Sequence, residues 1–439
     1  MKITYFIAVT PPGRVYGAER HHFTLAKGIS MVRDDVDISV LSYNVEKAED
    51  IWRVPFKIKY LSTYVDGIEI HKVPFNNLFI WVSNPIALAS QRMLLLLSRL
   101  EREPHKGLEN ALLKLSDYYL TNTGWVRTLL ISELLKRVKP DIVHVYSLHL
   151  FNMPYKMAKL SLKSLNSKLV VWTIYHHYVR YERLLMMRSR VLEALSRASA
   201  LISSTRKEAE VIRNLLRRKR LKVPPQHVIP PPIDFSTFYS PHPELLESIR
   251  ERLGNPDHIV LTMTLSEEKG VLAIIKALSR VRSNEKIAVI SFGRASKKDL
   301  KSLNRILKNL PSNVSVHYMG FVDEQTKSAL YKISDIFVLP SRIDTFGLAY
   351  VEAWYYCVPV IGARNPYMEE VIGNMNRGIL VDPKNYDELR SAILKLLEDK
   401  ELSKKLAENG RKFVMENLSP KAIARRVMTV YENITGSYD

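Results

Sequence analysis

Cysteine is all but missing from this chain: of 439 residues, Cys357 alone carries a thiol. A single thiol excludes an intrachain disulfide framework and fits a reducing cytosol. Glutamine is also scarce, at three residues. With many Lys, Arg and Glu this leans towards a thermophile, although thirteen Met lean the other way. No apolar run is long and clean enough for a membrane span. The longest apolar region, Leu78 to Leu97, is broken by Ser, Asn, Pro and Arg92. The start, MKITYFIAVTPPG, has a single Lys and a short apolar run, without the length or the small-residue cleavage site of a signal peptide. It reads as a first strand. There is no repeat of solenoid period and no low-complexity tract. No metal-binding cluster is visible: the adjacent His176 and His177 would point to opposite faces of a strand.

Apolar residues make up 46% of the chain, enough for large cores and against disorder. The length predicts two or three domains. The net charge of +20 is unevenly placed. Residues 1–240 hold 36 Lys and Arg against 20 Asp and Glu, whereas residues 241–439 hold 29 against 25. A basic half suits nucleic acid, an anionic membrane surface or anionic substrates, or simply solubility. Residues 78–137 carry leucine-rich stretches flanked by Lys and Arg, including QRMLLLLSRL and VRTLLISELLKRV. Such helices could lie on a lipid surface or cover a sheet. No nucleic-acid motif and no aromatic–basic interleaving is present.

The rhythm is strand alternating with helix, which predicts parallel, doubly wound sheets. Residues 3–9 read as a strand, Pro11 to Gly17 as a loop and Glu19 to Ile29 as a helix. Further strands are expected at Val36 to Leu41, Asp141 to Tyr146 and Lys168 to Tyr175. Val228-Ile-Pro-Pro-Pro-Ile-Asp234 forbids a helix and reads as a stiff connector between domains. The α/β alternation then resumes from His258. Its densest stretch is Ser334 to Ile372. Ile336 to Leu339 is a short buried strand, Arg342 to Phe346 a polar loop, Leu348 to Tyr356 a helix and Val358 to Ile361 a second strand. That is a βαβ unit, which places ligands at the carboxyl ends of its strands. The helix start at Phe346, Gly347 and Leu348 suits a phosphate. Asp344 precedes it, and Glu352 lies two turns inside.

This stretch resembles the donor-site signature of family 4 glycosyltransferases, which transfer sugars from nucleotide sugars with retention of configuration. The family pattern is an acidic residue, Phe-Gly-Leu, Glu after seven intervening residues and a small-x-Pro-Val-Ile strand. This chain shows Asp344, Phe346, Gly347, Leu348, Glu352, Pro359, Val360 and Ile361. Asp344 stands where Glu is usual, and Cys357 where Gly is common. Ser266-Glu-Glu-Lys-Gly270 matches the family's Pro-Glu-Lys-Gly turn. Met263 and Thr264 occupy the places of its usual Gly-Arg, so the second cation is missing there; Arg294 and Arg14 are the candidates to replace it. Arg377 to Pro383 matches a Gly-x-Leu-Val-x-Pro strand, and Tyr16-Gly-Ala-Glu-Arg20 keeps Gly17 and Glu19 of an acceptor-facing loop.

The resemblance implies a GT-B fold: two facing Rossmann-like doubly wound parallel-sheet α/β domains, with a C-terminal helix crossing back to the first. The expected division is 1–228 for acceptor binding, 229–418 for the nucleotide sugar and 419–439 for the returning helix. Lys269 and the 346–348 N–H groups would stabilise charge on the departing phosphate. Glu352 would accept from ribose hydroxyls. Asp344 would orient the donor sugar, and His176, or else His177, would bind its far hydroxyls. Gly17 and Glu19 would face the acceptor. The implied activity is a retaining hexosyltransferase, with a UDP-sugar as first choice of donor and a GDP-sugar next. The acceptor would be a glycan, lipid-linked or cell-envelope molecule. No cofactor, no metal and no nucleic acid is expected. The predicted location is cytoplasmic, peripheral on the inner face of the membrane. Two other readings stay open: a sugar-nucleotide epimerase of the same fold, and a basic membrane- or nucleic-acid-binding protein whose transferase site has decayed.

Overall fold

The computed structural model describes residues 1–6, 17–43, 61–73, 133–146, 166–175, 189–281 and 283–436. The leucine-rich stretches of residues 78–137, read as helices on a lipid surface or over a sheet, fall almost wholly outside these. So do Arg14, His176 and His177. The chain divides into two compact units, Met1–Ile233 with Pro420–Asp439, and Asp234–Ser419.

The first unit is built on a sheet of β1 (Lys2–Phe6), β2 (Asp37–Tyr43), β3 (Leu61–Val65), β4 (Ile68–Val73), β5 (Ile142–Tyr146), β6 (Lys168–Trp172), β7 (Ala200–Ser203) and β8 (Gln226–Val228). Among the described residues its order is β3-β4-β2-β1-β5-β6-β7-β8. Every neighbouring pair is parallel except β3–β4. Helices α1 (Gly17–Ser30), α2 (Ser189–Ser196) and α3 (Arg206–Arg218) belong to this unit. Gly17, expected in the preceding loop, is the first residue of α1. The central strand β6 reads as an unbroken apolar run because both its faces are covered: after Lys168, all of it is buried.

The second unit runs α4 (Pro243–Arg252), β9 (His258–Leu265), α5 (Val271–Leu278), β10 (Ile287–Ala295), α6 (Lys297–Leu307), β11 (Val314–Tyr318) and α7 (Glu324–Ile333). It continues through β12 (Ile336–Leu339), α8 (Leu348–Tyr355), β13 (Val360–Ala363), α9 (Pro366–Val371), β14 (Gly378–Val381), α10 (Tyr386–Glu398) and α11 (Lys400–Asn417). Its sheet is parallel throughout, in the order β11-β10-β9-β12-β13-β14. Sequence order runs outward from β9 in one direction and from β12 in the other. The pair β9–β12 is therefore the topological switch point, where an open α/β sheet leaves a crevice beyond its strand ends.

The last helix, α12 (Pro420–Thr435), belongs to the first unit. Ile423, Val427, Met428 and Tyr431 share a core with Tyr5, Phe23 and Ile29. Helix α1 comes so close that a Cβ on Gly28 would sit 2.5 Å from the Pro420 carbonyl oxygen. At the centre, the Tyr5 and Tyr431 hydroxyls lie 2.8 Å apart. Nδ1 of the fully buried His144 also bonds the Tyr431 hydroxyl.

Candidate functional site

Two loops meet at the β9–β12 switch point. The turn after β9 reaches Gly270, which takes a left-handed φ of +80°. A Cβ there would stand 2.7 Å from the Pro340 carbonyl oxygen, so glycine permits the close approach of the loop after β12. The Arg342 N–H donates to the Glu268 carbonyl at 3.0 Å and ties the loops together. This contact brings Lys269 and Asp344, 75 residues apart, within reach: Lys269 Nζ lies 2.8 Å from each Asp344 oxygen. The pair is about four-fifths buried, with side chains 22% and 16% exposed.

Helix α8 opens beside this pair. Gly347 caps it with φ +73°, and a Cβ there would strike the Tyr350 ring at 2.4 Å. The first N–H groups of any helix find no acceptor in a preceding turn, so α8 carries partial positive charge at its Gly347–Leu348 end. Tyr350 is fully buried and donates its hydroxyl to the Leu339 carbonyl, fastening α8 to the end of β12. Burial, and then the charge of Asp344, push its phenol well above the ordinary tyrosine range. Phe346 is itself buried, so it packs the loop, whereas Gly347 and Leu348 are half-buried.

Glu352 is held by partners that sequence reading missed. Lys327 Nζ donates to Oε1 at 3.1 Å, and the Tyr331 hydroxyl to Oε2 at 3.0 Å. Lys327 also pairs with Glu324 at 2.7 Å. Burial alone would lower the Lys327 pKa, but Glu352 and Glu324 outweigh it and the net shift is upward. Burial first, and Glu352 second, raise Tyr331 well above its usual value. A signal was available: Glu324, Lys327 and Tyr331 fall at i, i+3 and i+7, one face of α7.

Arg294 is exposed near the end of β10, next to Gly293. Thr264 stands where the resemblance leads one to expect a cation, and it adopts φ +57°. The β9–β10 ladder slips between Phe292 and Ala295, and a Cβ on Gly293 would lie 3.3 Å from Thr264 Oγ1. Gly17 and Glu19 lie in the first turn of α1. Among the described residues, no group of three or more His, Cys, Asp and Glu is arranged to hold a metal ion. Nor is any described helix long and apolar enough to cross a membrane.

Residues 247–413 match the family model described as glycosyl transferases group 1. This stretch, within the second unit, is similar to the group 1 glycosyl transferases. The relatives agree. Alpha-monoglucosyldiacylglycerol synthase of Streptococcus pneumoniae is 28% identical over 306 residues, covering 65% of this chain and 67% of the relative. An uncharacterized glycosyltransferase of Methanocaldococcus jannaschii is 32% identical over 168 residues, covering 38% and 46%. The chain spans about half the length of most of the curated relatives it matches. Among solved structures, sucrose-phosphate synthase from Thermosynechococcus elongatus superposes with a TM-score of 0.66 at 15% identity, over 100% of both chains. Anabaena HepE, solved with UDP and glucose, gives 0.62 at 17% identity over 99% of this chain and 100% of its own. These likenesses show the GT-B fold, in two α/β units.

Proposed function

We propose that this glycosyl transferase moves a hexose from a nucleotide sugar with retention of configuration, as family 4 enzymes do. The observation that carries the reading is the convergence of Lys269 and Asp344 at the switch point, beside the opening of α8. The donor is a UDP-sugar in first place and a GDP-sugar in second. The acceptor is a glycan, a lipid-linked sugar or a cell-envelope molecule, with Gly17 and Glu19 among its contacts. The protein works in the cytoplasm, on the inner membrane face, and its basic first 240 residues suit an anionic surface. His176 binds the far hydroxyls of the donor sugar, and Arg294 supplies the cation that Thr264 does not.

The reaction follows from charge. As the glycosidic bond to phosphate breaks, negative charge grows on the diphosphate. Lys269 and the N–H groups at 346–348 meet it where it develops. Lys269 is bound to both oxygens of Asp344. A diphosphate competes for the ammonium, and the released carboxylate turns to the donor sugar, where it orients a hydroxyl and supports positive charge at the anomeric carbon. No protein nucleophile is required, because the departing phosphate helps to deprotonate the acceptor on the same face. No metal and no cofactor enters this scheme.

Calorimetric titration with UDP, GDP and ADP tests it. One of the three is expected to bind with a Kd below 1 mM, and Lys269→Ala to weaken it roughly 10- to 100-fold, the range for a charge-assisted bond. Failure of all three to bind at millimolar concentration would overturn the reading.

A further inference from the structure

We propose that Lys327 and Tyr331 act as positioning residues, fixing the Glu352 carboxylate so that it reads both hydroxyls of a ribose and rejects 2′-deoxyribonucleotides. The inference rests on the donor-site reading above and adds the device that makes Glu352 selective.

A carboxylate offers about four lone-pair positions, two on each oxygen. In Glu352 one position on each oxygen is already taken, Oε1 by Lys327 and Oε2 by Tyr331. One position on each oxygen remains, and a vicinal diol has two O–H groups to fill two such acceptors. A glutamate free to rotate would lose side-chain freedom on binding. Here the ordering precedes the ligand.

The clamp is itself held. Lys327 is only 13% exposed and is anchored at its other side by Glu324, 2.7 Å away on the same helix. Tyr331 is fully buried. Its ring stacks on Tyr356 at 5.9 Å, nearly parallel, and meets Phe337 at 5.6 Å and the edge of Phe292 at 6.2 Å. Neither donor can swing away without opening packed surface. The surroundings keep Lys327 charged and Tyr331 protonated, so both remain donors through the neutral range. Lys327 also offsets the charge of Glu352, which leaves the carboxylate better suited to neutral hydroxyls than to a second cation.

Charge alone would not give this selectivity. A groove of about 420 Å³ on the same unit presents the exposed cations Lys276, Arg305, Arg342 and Lys384. It could attract a diphosphate through these cations, and it also carries Glu267 and Ser302. A change of the ribo-to-deoxy ratio in the Lys327 and Tyr331 variants is therefore what reports on Glu352.

The experiment is calorimetry on the wild type, Lys327→Met, Lys327→Arg and Tyr331→Phe. Each is titrated with whichever of UDP, GDP and ADP binds best and with its 2′-deoxy form. The wild type is expected to favour the ribonucleotide by about 10-fold or more, as for one lost hydrogen bond to a charged group. Lys327→Met and Tyr331→Phe should weaken the ribonucleotide while leaving the deoxy form nearly unchanged, so that the ratio falls towards one. Lys327→Arg should restore most of it. Equal weakening of both forms would mean a structural role and would sink the proposal, as would an unchanged ratio. A wild type that binds both forms equally overturns this inference alone; one that binds no nucleotide overturns the donor site itself.

Discussion

The two units treat buried polarity in opposite ways. Under α12, the first unit buries Tyr5, His144 and Tyr431 completely, and holds them without charge. Desolvation drives His144 down to about 3 and pushes both phenols up. The second unit leaves Lys269 and Asp344 at the switch point, and Lys327 and Glu352 between α7 and α8, 13% to 23% exposed, and pairs them as ions. A fully buried network cannot exchange partners with solvent, and here it fastens a distant helix to a sheet. A partly buried ion pair is weak glue, but its charges remain within reach of a ligand. One arrangement is for cohesion and the other for exchange.

The contrast can be broken experimentally. The largest effect is expected for Tyr431→Ala, which empties a fully buried site and strands the Tyr5 hydroxyl and His144 Nδ1. Urea unfolding followed by circular dichroism should show a loss of about 3–5 kcal/mol. A loss under about 1 kcal/mol would show that α12 is held by its apolar face alone.

Acid comes next. His144 has a folded pKa of about 3 against an ordinary value of 6.5. Between those values the unfolded chain takes up a proton that the native state refuses. Stability contributed by this residue is therefore full above pH 6.5 and drains away as pH falls towards 3, by on the order of 1 kcal/mol for each pH unit. His144→Asn should flatten the measured slope of unfolding free energy against pH by about one proton; an unchanged slope would exonerate His144.

The ion pairs should respond in the reverse sense. Asp344→Asn is expected to cost no more than about 1 kcal/mol of stability, yet to reduce sugar transfer by about 100-fold or more. Should stability fall several-fold more than that while turnover survives, Asp344 belongs with the structural network. The smallest effect concerns Cys357, exposed with φ +57°. Cys357→Gly should relieve backbone strain and stabilise by up to about 1 kcal/mol, visible as a rise in Tm of a few degrees or less.

The same contrast explains what the sequence revealed. Asp344, Phe346, Gly347, Leu348 and Glu352 lie within nine residues, where turn chemistry and helix period are local and readable. The departure at Cys357 was visible as well, and the left-handed backbone there accounts for the family's preference for glycine. Lys269 needed the Lys-Gly turn to be set against a loop 75 residues away, which the resemblance supplied. Lys327 and Tyr331 lie on a helix outside the resembling motifs, and their tie to Glu352 spans 25 and 21 residues, beyond what local spacing shows. Tyr5 and Tyr431, 426 residues apart, share no pattern that periodicity could detect. Thr264 was noticed as a missing cation, but its positive φ was not, since a β-branched residue gives no sign of such a backbone.

The first unit is discontinuous: it closes only when Pro420–Thr435 lies against β1 and α1. The second is one uninterrupted segment, Asp234–Ser419. Pro420–Thr435 follows the whole of the second unit in the chain, so the core of the first unit is completed only after every strand of the second has been made.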